Sequence, residues 1–270
     1  MEAHEAIPSD VWVEIWLRCD GVTGTMLTST SKQTQVSILL TQRPLLRKMR
    51  PIRLLAAAQG FSSILKWYGT VDKHAMDEQE RRRFARVTAE ATLHGSLECL
   101  ETAVELGYPM HPTVAQVAAM IGRVDCLKYA HENGCDWSYH CISLAADIGS
   151  VECVKYAHEN GCKWSDDATW RAARHGHLPV VVYLHENGCE WDPHTTYIAA
   201  YNGFLDCLAY AYQHGCPFHY QTTVPATMEG HLECLKYAHE NGAPFDAHLL
   251  SILRETPKNR ACIQYARDNI

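Results

Sequence analysis

Two columns of cysteine and one of histidine are the residues of this sequence best suited to chemistry. Cys99, Cys126, Cys153, Cys207 and Cys234 stand in register with a step of 27 residues, as do Cys135, Cys162, Cys189 and Cys216. His131, His158, His185 and His239 run beside them. Thiolate and imidazole together are zinc ligands, and an activated thiolate is a nucleophile. The spacing points elsewhere. Structural zinc sites pair ligands about two to four residues apart, and the sequence contains no C-x-x-C. Neighbours within a column lie one repeat apart, near the distance between stacked helices and too far for one tetrahedral ion. Val180 and Ala243 take cysteine positions, as expected where cysteine serves as a small buried hydrophobe. The columns are therefore expected to pack, with no metal and no cofactor. Each histidine precedes a glutamate (Glu132, Glu159, Glu186, Glu240) at a helix end, where the ring suits the negative pole of the helix and the glutamate reads as a solvated charge. No Ser/His/Asp set, phosphate-binding loop or carboxylate pair stands out, so an enzyme is not expected.

The elements that carry these columns follow from glycine. Twelve of the sixteen glycines lie on two ladders of period 27: Gly95, Gly122, Gly149, Gly176, Gly203 and Gly230, then Gly107, Gly134, Gly161, Gly188, Gly215 and Gly242. Between them CLKYAHENGCDW at 126–137 returns as CVKYAHENGCKW at 153–164 and CLKYAHENGAPF at 234–245. A strict period of this size marks a stack of small units that bury their apolar faces against one another. In the unit 165–191, Ser165 is placed to cap a first helix whose first turn holds Asp166 and Asp167. His175-Gly176-His177 breaks it, Leu178 opens a second helix that tolerates Pro179 in its first turn, and Asn187-Gly188 ends that helix. Asp192 then caps the next unit. Val124, Leu127 and Ala130, with Cys126 and Tyr129, fall on one helical face, and Leu232, Leu235, Ala238, Cys234 and Tyr237 repeat the pattern. Trp137, Trp164, Trp191, Phe218 and Phe245 recur where a large ring can plug the seam between units.

Composition narrows the partners. A net charge of −7 argues against nucleic acid, since phosphate binding needs a basic face. The cluster Arg81, Arg82, Arg83 and Arg86 follows Asp77, Glu78 and Glu80 and reads as a solvated helix face with i,i+4 pairs. No secretory signal or membrane-length apolar run is present, so no membrane partner is expected. Twelve cysteines without an export signal or an N-x-S/T sequon fit free thiols in a reducing compartment, and an intracellular, cytoplasmic protein is expected.

The unit resembles the ankyrin repeat. ATWRAARHGHLPVVVYLHENGCEW at 168–191 follows its first helix, AA-x-x-GH turn, second helix and glycine end. The resemblance covers residues 51–270, about eight units, and implies an all-α solenoid of helix-turn-helix repeats. The first unit, LLAAAQGFSSILKWYG around Gly60, is degenerate, and eight extra residues fall near Thr70–Glu80; the last, from Ile252, has lost its glycines, as expected of a terminal cap. Pro225 is expected to kink or shorten its helix. The period of 27 in place of 33 removes residues where ankyrin repeats project a β-hairpin finger. In this the units are similar to short repeats in proteins of large DNA viruses of amoebae, which would place the protein in a host cytoplasm.

Positions shared by every unit answer a packing problem, whereas positions that vary are free to meet a partner. Nine residues after each second-ladder glycine the units read Gln116, Ser143, Trp170, Tyr197, Val224 and Ser251; thirteen after, Met120, Asp147, Arg174, Tyr201, Met228 and Glu255. The two sets share a face of each first helix, which in an ankyrin-like stack lines the concave side. Met120, Trp170, Arg174, Tyr197, Tyr201 and Met228 are the candidate contacts for a target protein.

Residues 1–50 carry no echo of the period and form a separate helical segment. Ile7, Pro8, Asp10, Val11, Glu14, Ile15, Asp20, Ser31 and Lys32 match the F-box pattern without a gap, and Pro44 to Lys48 resembles its tail. Cys19, Gly24, Thr25 and Ser29 depart from it. The resemblance implies docking of a Skp-family adaptor of a cullin ubiquitin ligase through Ile7, Pro8, Val11 and Ile15; the other reading is a helical cap on the first repeat. The expectation is a monomeric interaction adaptor, alternatively a stand-alone binding scaffold.

Overall fold

The computed structural model describes residues 76–244 and 254–269, together with residues 57, 62, 65, 66 and 70–72. The chain divides into two compact units, residues 1–114 and 115–270. Among the described residues all regular structure is helical.

In the first unit, α1 (Glu78–Leu93) and α2 (Leu97–Glu105) pack as an antiparallel pair. Asp77 caps α1 by accepting from the Glu80 N–H, and Arg82 pairs with Glu78 at 3.0 Å on an exposed face. At sixteen residues α1 is about two turns longer than the first helices that follow. The extra residues near Thr70–Glu80 thus lengthen this helix at its start. Ser96 caps α2 through the Cys99 N–H.

The second unit holds α3 (Val114–Met120, which begins one residue before it), α4 (Val124–Glu132), α5 (Cys141–Ile148), α6 (Val151–Glu159), α7 (Ala168–Arg174), α8 (Leu178–Glu186), α9 (His194–Asn202), α10 (Leu205–Gln213), α11 (Thr223–Glu229), α12 (Leu232–Glu240) and α13 (Arg260–Asn269). They form two layers. The first helices α5, α7, α9 and α11 pack side by side, as do the second helices α4, α6, α8, α10 and α12, and α13 closes against α11 and α12. Cys126, Leu127 and Ala130 of α4 are buried, as are Cys234, Leu235 and Ala238 of α12. Burying each leucine is worth about 1.5–3 kcal/mol.

Glycine ends both kinds of helix for different reasons. After α6 the Gly161 N–H bonds the His158 carbonyl and the Cys162 N–H reaches back to Ala157, a wrap that requires the left-handed φ of +87° at Gly161. A Cβ there would meet open space. Gly149, after α5, has φ +80°, and its Cβ would fall 2.5 Å from Nδ1 of His177. Gly176, Gly203 and Gly230 of the first ladder are approached as closely, as is Gly107 of the second by the Val71 carbonyl.

Three local expectations change. Ser165 is buried and its hydroxyl caps no helix; α7 starts from Asp167. Asp192 accepts from the His194 N–H at 2.8 Å but stands two residues before α9, with Pro193 at the cap position. Pro225 stands third in α11, inside the first turn, where its missing N–H forfeits no intrahelical bond. At seven residues α11 matches α3 and α7.

Candidate functional site

The cysteine and histidine columns lie within the packing. All eleven described cysteines are buried and none is in a disulfide. Burial pushes the thiols of Cys99, Cys141, Cys207 and Cys216 up to about 12, and those of Cys189 and Cys234 to about 11. A thiol held neutral in this way is neither a ready nucleophile nor a ready ligand. Among the described residues no three His, Cys, Asp or Glu side chains converge as a metal site would require.

The histidines join successive units. Nδ1 of His131, His158, His185 and His239 lies 3.0, 3.1, 3.2 and 3.0 Å from the hydroxyl of Tyr156, Tyr183, Tyr210 and Tyr265, each in the next unit. The tryptophans cover this seam. Trp137 stacks on His131 with centroids 4.5 Å apart, and its Nε1–H donates to the Asn160 carbonyl of the next unit at 2.9 Å. Trp191 stacks on His185 and donates to the His214 carbonyl at 3.0 Å. One unit solves the problem differently. Tyr212 replaces the histidine and Phe218 the tryptophan; the two rings stack at 4.2 Å, and the Tyr212 hydroxyl donates to the Asn241 carbonyl at 2.9 Å. The donor lost with tryptophan reappears on the tyrosine. These bonds satisfy carbonyls that a helix end otherwise leaves open.

Large exposed apolar side chains mark the ends of first helices and the loops before them. The large apolar side chains that stay exposed among the described residues are 41–71% accessible and avoid the second helices. In the first unit this is Leu93, the last residue of α1. In the second unit they are Met120, Ile148, Tyr201 and Met228, in the last turn of α3, α5, α9 and α11, with Tyr139 and Tyr220 in the loops that lead into first helices.

The six expected contact residues all lie on these first helices. Tyr197 and Tyr201 meet directly, stacked with centroids 6.5 Å apart. Trp170 is half-buried, with the Arg171 guanidinium 5.2 Å from its ring centroid. Arg174 is exposed and makes no ion pair or hydrogen bond among the described residues. Met120, Arg174 and Met228 hold the place of Tyr201 in other units. Ser143, expected on the same face, is instead buried, its hydroxyl donating to the His140 carbonyl. A short side chain there sinks beneath the surface that Trp170 and Tyr197 reach. Ile7, Pro8, Val11 and Ile15 lie outside the described residues.

Sequence reasoning missed His194, His219 and Tyr220. The His219 ring packs 5.4 Å from Tyr197, 5.3 Å from His194 and 4.3 Å from Tyr220. Burial, with the neighbouring His194, depresses the His219 pKa, which favours the neutral ring. Asp192 holds His194 at 3.0 Å. The available signal was the aromatic and histidine content of the short loops before α9 and α11.

No family model matches this sequence, and no curated protein matches it. Among solved structures the chain is similar to the human ASB11 ankyrin repeat domain, at a TM-score of 0.55 and 19% identity, over 66% of this chain and 96% of that one. The fold is that of an ankyrin-repeat domain. Its units are short: in the second unit residues 133–140 join α4 to α5 through turns and irregular backbone, with no strand. No described helix is long and apolar enough to cross a membrane.

Proposed function

We propose that this protein is a non-enzymatic adaptor whose ankyrin-type array, over residues 51–270, holds a target protein on the exposed ends of its first helices. The observation that carries the reading is the segregation of exposed apolar side chains. They gather at the ends of first helices and the loops before them, while the second helices turn lysine and glutamate outward at positions such as Lys155, Glu159 and Glu186. Scattered apolar exposure is ordinary, but its restriction to one edge of a repeat array favours an interface. Met120, Trp170, Arg174, Tyr197, Tyr201 and Met228 are the proposed contacts, of types that dominate binding energy elsewhere. No chemistry is required of the chain.

The segment 1–50 completes the proposal through its F-box-like sequence. Ile7, Pro8, Val11 and Ile15 dock a Skp-family adaptor, which brings the target to a cullin-type ubiquitin ligase in the cytoplasm. Pull-down with a purified Skp-family protein tests this arm: the full chain is expected to be retained, and a variant with Ile7, Val11 and Ile15 changed to aspartate is not. Failure of both to bind would leave the array as a stand-alone scaffold. Target binding is tested separately, since Trp170→Ala and Tyr201→Ala are expected to weaken it while leaving helicity unchanged.

A further inference from the structure

We infer that His219 is a pH-sensitive latch in the loop before α11: its neutral ring closes the turn that presents Tyr220 at the exposed edge, and protonation opens that turn. The inference goes beyond the protein-binding reading and stands whether or not a target uses this edge.

Nδ1 of His219 lies 3.3 Å from the backbone nitrogen of Gln221 and accepts its N–H. A backbone N–H can only donate, so this ring nitrogen carries a lone pair and the proton sits on Nε2. The bond spans Tyr220, whose side chain is 71% exposed, the most exposed large apolar group among the described residues. The His219 and Tyr220 rings pack with centroids 4.3 Å apart. His219 therefore holds Tyr220 both by closing the backbone around it and by direct contact. The His219 N–H donates to the Thr196 hydroxyl at 3.2 Å, which ties the turn to the preceding repeat.

The same turn recurs with other acceptors, always four residues after a second-ladder glycine. The Ser138 hydroxyl accepts from the His140 N–H at 3.3 Å, and the Asp192 carboxylate accepts from the His194 N–H at 2.8 Å. In the first unit, Nδ1 of His111 accepts from the Thr113 N–H at 3.2 Å. A hydroxyl or a carboxylate stays an acceptor through about pH 5 to 8, whereas a protonated imidazole has no acceptor left. Of the turns at Ser138, Asp192 and His219, only the last loses its bond in this range.

The surroundings oppose a proton on His219. From the preceding repeat, the His194 ring lies 5.3 Å away and the Tyr197 ring 5.4 Å away. Asp192 pulls the other way, but it already binds His194, accepting from its backbone N–H at 2.8 Å and lying 3.0 Å from its Nδ1. Tyr220 and Gln221 bring no carboxylate from the loop itself, and Asp246, one repeat on, lies outside the described residues. Burial, then His194, lowers the His219 pKa from its ordinary value of 6.5. A group lowered in this way supports the folded turn above its ordinary value and withdraws that support as pH falls. The turn is closed at neutral pH and opens in mild acid, and a target that grips Tyr220 is then held less tightly.

The test is NMR of the purified full-length chain, without a partner, between about pH 7.5 and 5. Imidazole nitrogen shifts are expected to show Nδ1 of His219 unprotonated at neutral pH. Through the His219 titration the Gln221 amide is expected to lose about fivefold in exchange protection, the worth of one hydrogen bond, while the His140 amide keeps its own. His219→Ser and His219→Asp supply the acceptors used at positions 138 and 192, and each is expected to abolish the pH dependence with the turn closed. His194→Gln is expected to move the His219 midpoint to higher pH. A proton on Nδ1 at neutral pH would overturn the inference. So would Gln221 protection that stays constant through the titration, falls equally in His219→Ser, or falls in step with His140. The comparison of Gln221 with His140 in the parent decides the matter even where a variant is unstable.

Discussion

Nδ1 of His158 lies 3.1 Å from the hydroxyl of Tyr183, across the boundary between two repeats. Each ring is half-buried, and the pair meets edge to face with centroids 6.0 Å apart. The same bond recurs at other boundaries but not between Tyr212 and Tyr237, where the Tyr237 hydroxyl makes only a 3.4 Å contact with the Ala209 carbonyl.

Tyr183→Phe is therefore expected to cost about 1 kcal/mol, the net worth of one half-buried hydrogen bond. Tyr237→Phe is expected to cost less than half of that. Urea unfolding of the two variants beside the parent measures the difference, and equal losses would mean that the histidine bond contributes nothing.

The exchange of His and Trp for Tyr212 and Phe218 makes a second prediction. Tyr212→Phe removes the donor to the Asn241 carbonyl, as Trp191→Phe removes the donor to His214. Each is expected to destabilise by about 1 kcal/mol. Phe218→Trp together with Tyr212→His is expected to be close to the parent, because the indole N–H takes over the carbonyl. A double-mutant cycle read by denaturant midpoint tests the compensation.

Gly161 and Gly149, one from each ladder, are expected to respond differently to alanine. Gly161→Ala carries only the strain of a left-handed residue, about 1 kcal/mol. Gly149→Ala adds a collision with the His177 ring and is expected to cost clearly more. Melting temperatures of both variants decide this, and equal shifts would argue against the close approach.

Much of this was legible in the residues. The period, the helix ends at glycine and the buried Leu127 and Ala130 faces follow from spacing, because helix termini and apolar stripes are local events. The His–Tyr bond was not, although both columns were in view. It joins residues 25 or 26 positions apart, and the sequence alone cannot tell whether the two rings meet across a seam or stand on separate faces. Ser143 and Trp170 share a position, yet one is buried and the other only half-buried, because side-chain length decides exposure there. His219 escaped notice for a similar reason: its neighbours Tyr197 and His194 come from the preceding unit.

Alkaline pH should weaken the stack through its cysteines. Burial raises the thiol of Cys207 to about 12 from an ordinary value of 9.0. The unfolded chain therefore releases this proton first, and the folded state loses stability as pH rises from about 9 towards 12. Tyr156, Tyr183 and Tyr210, also raised by burial, act in the same direction. The urea midpoint is expected to be flat between pH 7 and 8 and lower at pH 10, with a smaller fall when Cys99 and Cys207 are replaced by alanine. A midpoint that does not fall at pH 10 would contradict the burial of these thiols.

The central claim is that recurring positions hold the stack while non-recurring ones meet the target. A photo-crosslinking phenylalanine analogue placed at Tyr201, or alternatively at Glu159 on a second helix, reads it directly in eukaryotic cell extract. Discrete covalent adducts are predicted from position 201, lost when Arg174 and Met228 are also changed to glutamate, and none from position 159. Equal adducts at both positions, or adducts from 159 alone, would contradict it.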